Sequence, residues 1–355
     1  MDEREIRAYV GSFTSAGGRG VTTAAVDPAT GALRVLGASD AVADPSYLAV
    51  GERCVYAVSE GEAGVVAAFA PGADGVLRPA AAPASTHGRG PTHLATVGTS
   101  WLVAAHYTSG SVVALPLGPD GGPGQAASVL RHTGSGPDSD RQREPHAHQV
   151  LPDPTGRWVL SVDLGTDSVR VCALDGADGV LRPRGEAKLP PGNGPRHLAF
   201  HPGGELLYVL NELRPLLTVC RWDAASGEVE PVHEVPVAPE GAPGGARPYP
   251  SAVVVAPDGR FVWAAVRGSD TIAVLSLAGD PARPRLTATV ASGGHWPRDL
   301  ALEPAGGRLY LANERSGDVT WFDVDAETGV PRRAGSVAIP AATCVVFGPA
   351  DRVRC

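Results

Sequence analysis

The chain alternates short apolar runs with turns rich in Gly, Pro and Asp. In residues 193–212, NGPRHLAFHPGGELLYVLNE, two apolar runs flank a Pro-Gly-Gly turn, and ionisable groups stand at both outer ends. Short runs rich in Val, Leu, Tyr and Trp between such turns are typical of β-strands joined by hairpins. No long segment with a 3.6-residue period competes with them. The pattern therefore predicts an all-β protein.

A proline followed by an apolar run recurs every 43 to 55 residues. Six clear copies and a degenerate seventh begin at Pro45, Pro91, Pro145, Pro195, Pro250, Pro297 and Pro340. This is the period of a four-stranded propeller blade. Within each unit the first run, called strand A, is followed by strands B and C and by a less regular strand D.

The two ends of the chain complement each other. The seventh copy supplies only a strand A, whereas the runs AYVG, GVTTAAVD and ALRVLG near the N-terminus look like strands B, C and D. We therefore predict a seven-bladed β-propeller with four-stranded antiparallel blades, formed by residues 1–355 as a single domain. Both chain ends would close the last blade, which removes exposed edge strands.

Polar side chains concentrate at two equivalent places in every predicted blade. The start of strand A and the end of strand B lie on the same face of a propeller, close to its axis, so their side chains converge on one mouth of the central channel. Such a pocket is the default position for an active site. The side chains at these places are Tyr47, Ser59, Glu60, His93, His106, Tyr107, His146, His148, Asp163, Arg196, His197, Asn211, Glu212, Arg267, Arg298, Asp299, Asn313 and Glu314.

Plainer interpretations of these residues stay open. Asn211, Asn313, Asp163 and Asp299 are also of the types that cap turns, and the charges could form ion pairs that only join blades. His146 and His148 could suggest a metal, but only neighbours on the same face of a strand could chelate together, and no further His or Cys stands at ligand spacing, so no metal is expected. The long polar segment 132–145 would be either a lid or an unstructured loop.

Composition limits the molecules that the protein is expected to bind and the compartment in which it is expected to act. The net charge of −8 without basic runs argues against nucleic-acid binding. Five cysteines, an odd number without a CxxC motif, favour buried free thiols and a reducing cytoplasm. The N-terminus lacks the features of a signal peptide, and no apolar run is long enough to span a membrane. We expect a cytoplasmic monomer or weak homodimer that needs no cofactor.

Several motifs resemble one known family. YVGSFT, EPHAHQV, GPRHLAFHP with LYVLNE, and WPRDLALEPAGGRLYLANE are similar to the bacterial lactonase family of seven-bladed propellers, which includes 6-phosphogluconolactonases and fungal carboxymuconate cyclases. The resemblance runs along essentially the whole chain. It implies a central catalytic cluster of His148, Arg196, Glu212 and Arg267. One departure is the Ala-Val pair before Arg267, where such proteins often have Ser-Asn.

The resemblance implies a lactonase whose substrate is an anionic sugar lactone, most simply 6-phosphogluconolactone, hydrolysed without a metal. Glu212 or His148 would be the general base, and Arg196 and Arg267 would bind the anion or the oxyanion. The predicted substrate-binding residues are His93, His106, His146, Asp163, His197, Asn211, Arg298 and Asn313. Two alternatives remain: a lactonising cyclase that uses the same cluster, or a non-enzymatic scaffold, which would leave the axial charges unexplained.

Overall fold

The computed structural model describes residues 6–238 and 247–349, in which seven β-sheets stand side by side in a ring. The first three strands are β1 (Ile6–Ser12), β2 (Val21–Val26) and β3 (Leu33–Ser39). Blade 2 contains β4 (Leu48–Val50), β5 (Val55–Ser59), β6 (Val65–Pro71), β7 (Leu77–Pro79) and β8 (Ala84–Ser85). Blade 3 contains β9 (Pro91–Val97), β10 (Trp101–His106), β11 (Ser111–Pro116) and β12 (Ser128–Arg131). Blade 4 contains β13 (Ala147–Pro152), β14 (Trp158–Asp163), β15 (Ser168–Leu174) and β16 (Leu181–Lys188).

The second half of the ring repeats this arrangement. Blade 5 contains β17 (Pro195–Phe200), β18 (Leu206–Asn211), β19 (Leu216–Asp223) and β20 (Glu228–Pro236). Blade 6 contains β21 (Tyr249–Val255), β22 (Phe261–Arg267), β23 (Thr271–Ser276) and β24 (Arg285–Ala291). Blade 7 contains β25 (Pro297–Leu302), β26 (Arg308–Asn313), β27 (Asp318–Val324) and β28 (Pro331–Ala338), and β29 (Ala342–Pro349) follows it. The described residues also form two short 3-10 helices, η1 (Thr14–Ala16) and η2 (Leu164–Thr166).

The remaining blade is built from both ends of the chain. Strand β29 pairs antiparallel with β1, with Val346 opposite Tyr9, and the order across blade 1 is β29-β1-β2-β3. The inner strand therefore comes from the C-terminal side and the other three from the N-terminal side. This confirms the predicted closure and the seven blades.

Blade 2 departs from the regular pattern. Its outer strand is split into β7 and β8, which both pair with β6, so this sheet has five strands instead of four. The first of these strands ends at Pro79, and Pro83 lies between it and the second. Because proline has no backbone N–H to donate to a ladder, a continuous outer strand is disfavoured here.

The core consists of apolar layers between neighbouring blades rather than one central cluster. Leu160 of blade 4 and Val209 of blade 5, for example, belong to one fully buried layer. Aromatic side chains on the second strand of several blades also bond to the next blade. The hydroxyl of Tyr310 donates to the carbonyl of Gly31 at 2.8 Å, and the indole N–H of Trp263 donates to that of Gly329 at 2.7 Å. These bonds satisfy the polar ends of large buried rings and hold the blades in a fixed rotation.

The cysteines agree with the sequence-based prediction within the described residues. Cys172, Cys220 and Cys344 are buried free thiols, Cys54 is also buried, and Cys355 lies outside the described residues. In the same part of the chain, no helix has the length and apolar character to cross a membrane.

Candidate active site

A β-bulge at the start of the inner strand positions the candidate site residues. In blade 5, Pro195 lies opposite Asn211 and His197 opposite Leu210, so Arg196 is the extra residue of the bulge. Equivalent register shifts leave His148 as the extra residue in blade 4 and Arg298 in blade 7. A bulge breaks the strict alternation of a strand and redirects its side chains. In these three blades the extra residue of the bulge is therefore a predicted site residue.

The carboxylate of Glu212 binds three guanidinium groups from different parts of the chain. Its Oε1 lies 2.6 Å from Nη2 of Arg141, and its Oε2 lies 2.7 Å from Nη2 of Arg267. The Nε of Arg196 forms an ion pair with Oε2 at 3.2 Å, although its N–H is not aligned for a hydrogen bond. Glu212, Arg196 and Arg267 are buried, being 4%, 3% and 7% exposed. Arg141 thus reaches a carboxylate 71 positions away in the sequence.

Charge at this cluster is unbalanced. Burial alone would raise the pKa of Glu212, but Arg267, Arg196 and Arg141 outweigh it and lower the pKa to about 2. Burial and the neighbouring Arg267 lower the pKa of Arg196 to about 9, which still leaves it charged at neutral pH. Three positive charges against one negative charge make this part of the mouth attractive to an anion.

Four rings lie beside the charged cluster. The ring centroids of His148 and His197 are 5.5 Å apart, those of His197 and His93 are 5.6 Å apart, and those of His93 and Tyr47 are 4.1 Å apart. Burial, followed by the charge of Arg196, lowers the pKa of His93 to about 3 and those of His148 and His197 well below the usual value. All three imidazoles are therefore neutral at physiological pH.

His148 combines this neutrality with an unused nitrogen. Its Nδ1 is buried and has no hydrogen-bond partner among the described residues. The ring stands edge-on to Tyr107, with 5.6 Å between the centroids, and Tyr107 also stacks on His146 at 4.4 Å. The Nδ1 of His146 lies 2.8 Å from the carbonyl oxygen of Tyr107. A neutral imidazole with a free ring nitrogen can accept a proton or orient a water molecule.

Arg298 has acidic neighbours. Its guanidinium lies 3.3 Å from Glu314 and 3.5 Å from Glu60, and it also covers the ring of Phe13 at 4.9 Å. Nearby, the carboxylate of Asp299 accepts a hydrogen bond from the backbone N–H of Val345 at 3.0 Å. The two negative charges of Glu314 and Glu60 exceed the single positive charge of Arg298, so this side of the mouth suits hydroxyl groups better than an anion.

Four predicted substrate-binding residues are not part of this cluster. Asn211 donates to the hydroxyl of Thr218 at 2.8 Å, and Asn313 donates to that of Thr320 at 3.1 Å, each within its own blade. His106 bonds Ser111 in the same way, with 3.0 Å between Nδ1 and the hydroxyl oxygen. The fourth residue, Asp163, accepts from the backbone N–H groups of residues 146 and 166 at 2.9 and 3.1 Å.

The register of strand B explains this separation. Asn211 and Asn313 are the last residues of their strands, whereas Glu212 and Glu314 come one position later. Successive side chains of a strand point to opposite sides, so a shift of one residue separates the groups that bond within the blade from those at the mouth. The structure thus brings together His148, Arg196, Glu212, Arg267, His93, His146, His197 and Arg298.

Sequence reasoning missed Arg141 as a site residue. It belongs to the polar segment 132–145, and its side chain reaches both Glu212 and the hydroxyl of Tyr107, at 3.0 Å. The segment is ordered and anchored by Gln142, whose buried amide donates to the carbonyl of Leu164 and to Asp167, both at 2.8 Å. The length and polarity of this segment indicated a role at the mouth, but no local pattern singled out one arginine.

Among the described residues, no cluster of three or more His, Cys, Asp or Glu side chains could hold a metal ion. The three guanidinium groups around Glu212 can bind an anion and stabilise a developing oxyanion, and the neutral imidazole of His148 can accept a proton.

Comparison with protein families and with curated proteins shows which proteins this chain is similar to. The family model described as lactonase, 7-bladed beta-propeller matches residues 7–347. A 6-phosphogluconolactonase of Bacillus subtilis is 32% identical over 349 residues, which cover 96% of this chain and 97% of the relative. Another 6-phosphogluconolactonase, from Pectobacterium carotovorum, is 30% identical over 247 residues, covering 67% of this chain and 68% of that protein.

Solved structures agree with the family match. The periplasmic gluconolactonase of Pseudomonas aeruginosa superimposes with a TM-score of 0.89 at 25% identity, covering 97% of this chain and 99% of that one. Since this neighbour is named as a periplasmic protein, the cytoplasmic location remains a prediction from the cysteines and the N-terminus. The match to the family model spans nearly all of the described residues and agrees with the seven blades. The chain therefore belongs to the lactonase family of seven-bladed β-propellers, and the relatives above that are named 6-phosphogluconolactonase are lactone-hydrolysing enzymes.

Proposed function

We propose that this protein hydrolyses 6-phosphogluconolactone to 6-phosphogluconate without a metal ion. The observation that carries the proposal is the meeting of three guanidinium groups around Glu212, beside His148. A phosphorylated lactone brings the negative charge that this cluster lacks, and its carbonyl oxygen becomes an anion during hydrolysis. The names of the relatives in Bacillus and Pectobacterium support the same substrate.

His148 suits the role of general base better than Glu212 does. Glu212 is held by three guanidinium groups, and a carboxylate with a pKa of about 2 is a poor proton acceptor. His148 is neutral, and its buried Nδ1 has no hydrogen-bond partner among the described residues. Arg196 and Arg267 contribute to the low pKa of His148. A bound dianion would offset their charge and so make the imidazole more basic when substrate is present.

The steps follow from these roles. Water loses a proton to His148 while its oxygen bonds to the lactone carbonyl carbon, and Arg196 or Arg267 stabilises the oxyanion. The bond between that carbon and the ring oxygen then breaks, and the imidazolium returns its proton to the ring oxygen. Glu212 positions the guanidinium groups throughout. No nucleophilic side chain is required, because a lactone is already an activated ester.

The test uses purified protein and freshly prepared 6-phosphogluconolactone, with acid release followed at constant neutral pH. We expect a rate above the spontaneous one, unchanged by EDTA. Arg196→Ala should lower kcat and kcat/KM through the loss of an oxyanion-stabilising group, while the circular dichroism spectrum is kept, and Arg34→Ala, at an exposed position outside the site, serves as the matched control. A carboxymuconate substrate assayed in parallel tests the cyclase alternative. Acid release no faster than in buffer alone would refute the proposal.

A further inference from the structure

We propose that Arg141 recognises the phosphate of the substrate and thereby sets the preference for a phosphorylated over an unphosphorylated lactone. This inference rests on the proposed function and extends it to a residue outside the blades. Arg141 lies in the connection between β12 and β13, whereas Arg196 and Arg267 lie on inner and second strands of blades 5 and 6.

The three arginines differ in where their unused N–H groups lie, since the Nε of Arg196 also has no hydrogen-bond partner among the described residues but is buried. The Nη1 of Arg196 donates to the carbonyl of Ser251. Arg267 donates to the carbonyls of Tyr249 at 3.2 Å and Pro250 at 3.4 Å. Arg141 uses only Nη2, which bonds to Glu212 and to Tyr107. Its Nε and Nη1 have no acceptor among the described residues, so most of its planar fork is available for a ligand.

The side chains of the three arginines also differ in how much of their surface is exposed. The side chain of Arg141 is 35% exposed, against 3% for Arg196 and 8% for Arg267. A phosphate is strongly hydrated and is recognised most readily where water can enter with it. The buried pair is suited to the reacting carbonyl, and the partly exposed fork is suited to the anionic end of the substrate.

Tyr107 contacts both Arg141 and His148, the proposed general base. Its hydroxyl receives a hydrogen bond from Arg141 at 3.0 Å, and its ring stands against His148 with 5.6 Å between the centroids. Arg141 and His148 thus both contact Tyr107, one at its hydroxyl and the other at its ring. A substrate with its carbonyl at His148 and a phosphate several bonds away can reach both groups.

The backbone that carries Arg141 is held in place. The carboxylate of Asp138 accepts from the backbone N–H of Arg141 at 3.0 Å, and the neighbouring Gln142 is completely buried. An arginine fixed at the backbone but free at its fork loses little entropy when it binds an anion. Arg141 therefore acts as a specificity residue on a rigid support, and segment 132–145 need not close like a lid.

The experiment compares kcat/KM for 6-phosphogluconolactone and glucono-δ-lactone in the wild type, Arg141→Ala, Arg141→Lys and Arg143→Ala. Arg143 belongs to the same segment, and its side chain is 76% exposed, so it is the matched control. We expect Arg141→Ala to lower the ratio of the two kcat/KM values, phosphorylated over unphosphorylated, by roughly tenfold to a hundredfold. Arg141→Lys should keep the charge but lose the fork, giving a smaller loss, and Arg143→Ala should keep the wild-type ratio.

Three other results would count against the inference in distinguishable ways. If Arg141→Ala has the wild-type melting temperature and an unchanged ratio, the role of Arg141 is refuted and the proposed function stands. If the wild type hydrolyses neither lactone, the proposed function fails and this inference fails with it. A parallel loss on both lactones would make Arg141 a general support of Glu212 instead of a reader of phosphate.

Discussion

The carboxylate of Asp163 lies 2.6 Å from Nδ1 of His132, and both side chains are buried, with 0% and 1% of their surface exposed. His132 follows the last strand of blade 3, and Asp163 ends the second strand of blade 4, so the pair joins two neighbouring blades. The other carboxylate oxygen accepts from two backbone N–H groups, at residues 146 and 166. The aspartate thus supports the backbone that leads to His148.

Asp163→Asn should lower stability far more than substrate affinity. An amide replaces one acceptor oxygen by a donor that faces other donors, in a place that water does not reach. We expect a loss of about 2–4 kcal/mol in the free energy of unfolding, measured by urea denaturation, with KM for the lactone nearly unchanged. Asp40→Asn, at an exposed position, is the control. A raised KM with unchanged stability would restore Asp163 to the substrate-binding residues.

Chemical rescue separates His148 from Glu212 as the base. His148→Ala should lower kcat by about 10²–10⁴-fold, because general-base catalysis contributes that much. Added imidazole should restore part of the rate by occupying the space left by the ring, with no effect on the wild type. Glu212→Ala should lose activity through misplaced guanidinium groups and should gain nothing from formate. Rescue of Glu212→Ala by formate, with His148→Ala still active, would reverse the assignment.

Buried histidines predict a loss of stability in mild acid. Burial lowers the pKa of His106 to about 4, whereas the unfolded chain titrates its histidine near 6.5. Below pH 6.5 the unfolded state therefore binds more protons than the folded state, and stability falls with pH until the folded pKa of about 4 is reached. His93 acts in the same direction, with a folded pKa of about 3.

His106→Asn tests this linkage. Asn occupies the equivalent position in blades 5 and 7, as Asn211 and Asn313, so the substitution suits the fold. The difference in unfolding free energy between pH 7 and pH 5 should shrink by about 1–2 kcal/mol in the variant. His87→Asn, at an exposed position, should leave that difference as it is in the wild type. An unchanged difference in His106→Asn would show that His106 does not contribute to acid sensitivity.

The propeller was predictable because its blades repeat. Each inner strand begins near a proline of the motif, and the missing strands at one end of the chain are supplied by the other. The motif did not give the register in every case. In blade 4 it is Ala147, not Pro145, that lies opposite the end of strand B, as Pro195 does in blade 5. Local bulging decides such offsets, and proline spacing does not report it.

The candidate site was predictable only as a set of positions. Glu212 and Arg196 belong to one motif, and their placement at the axis follows from blade geometry. Asn211 is adjacent to Glu212 but bonds within its own blade, because neighbouring strand residues point to opposite sides. No property of the residue types alone distinguishes the two.

The amino-acid sequence by itself determined the number of blades, the closure of the ring and the strand ends that face its axis, since these follow from local patterns repeated along the chain. Folding determined which charges meet. Arg141 reaches Glu212 across 71 positions at 2.6 Å, and that contact depends on a loop held by a buried glutamine. Attraction between charges acts through space and depends on the final distance, so sequence order does not report it.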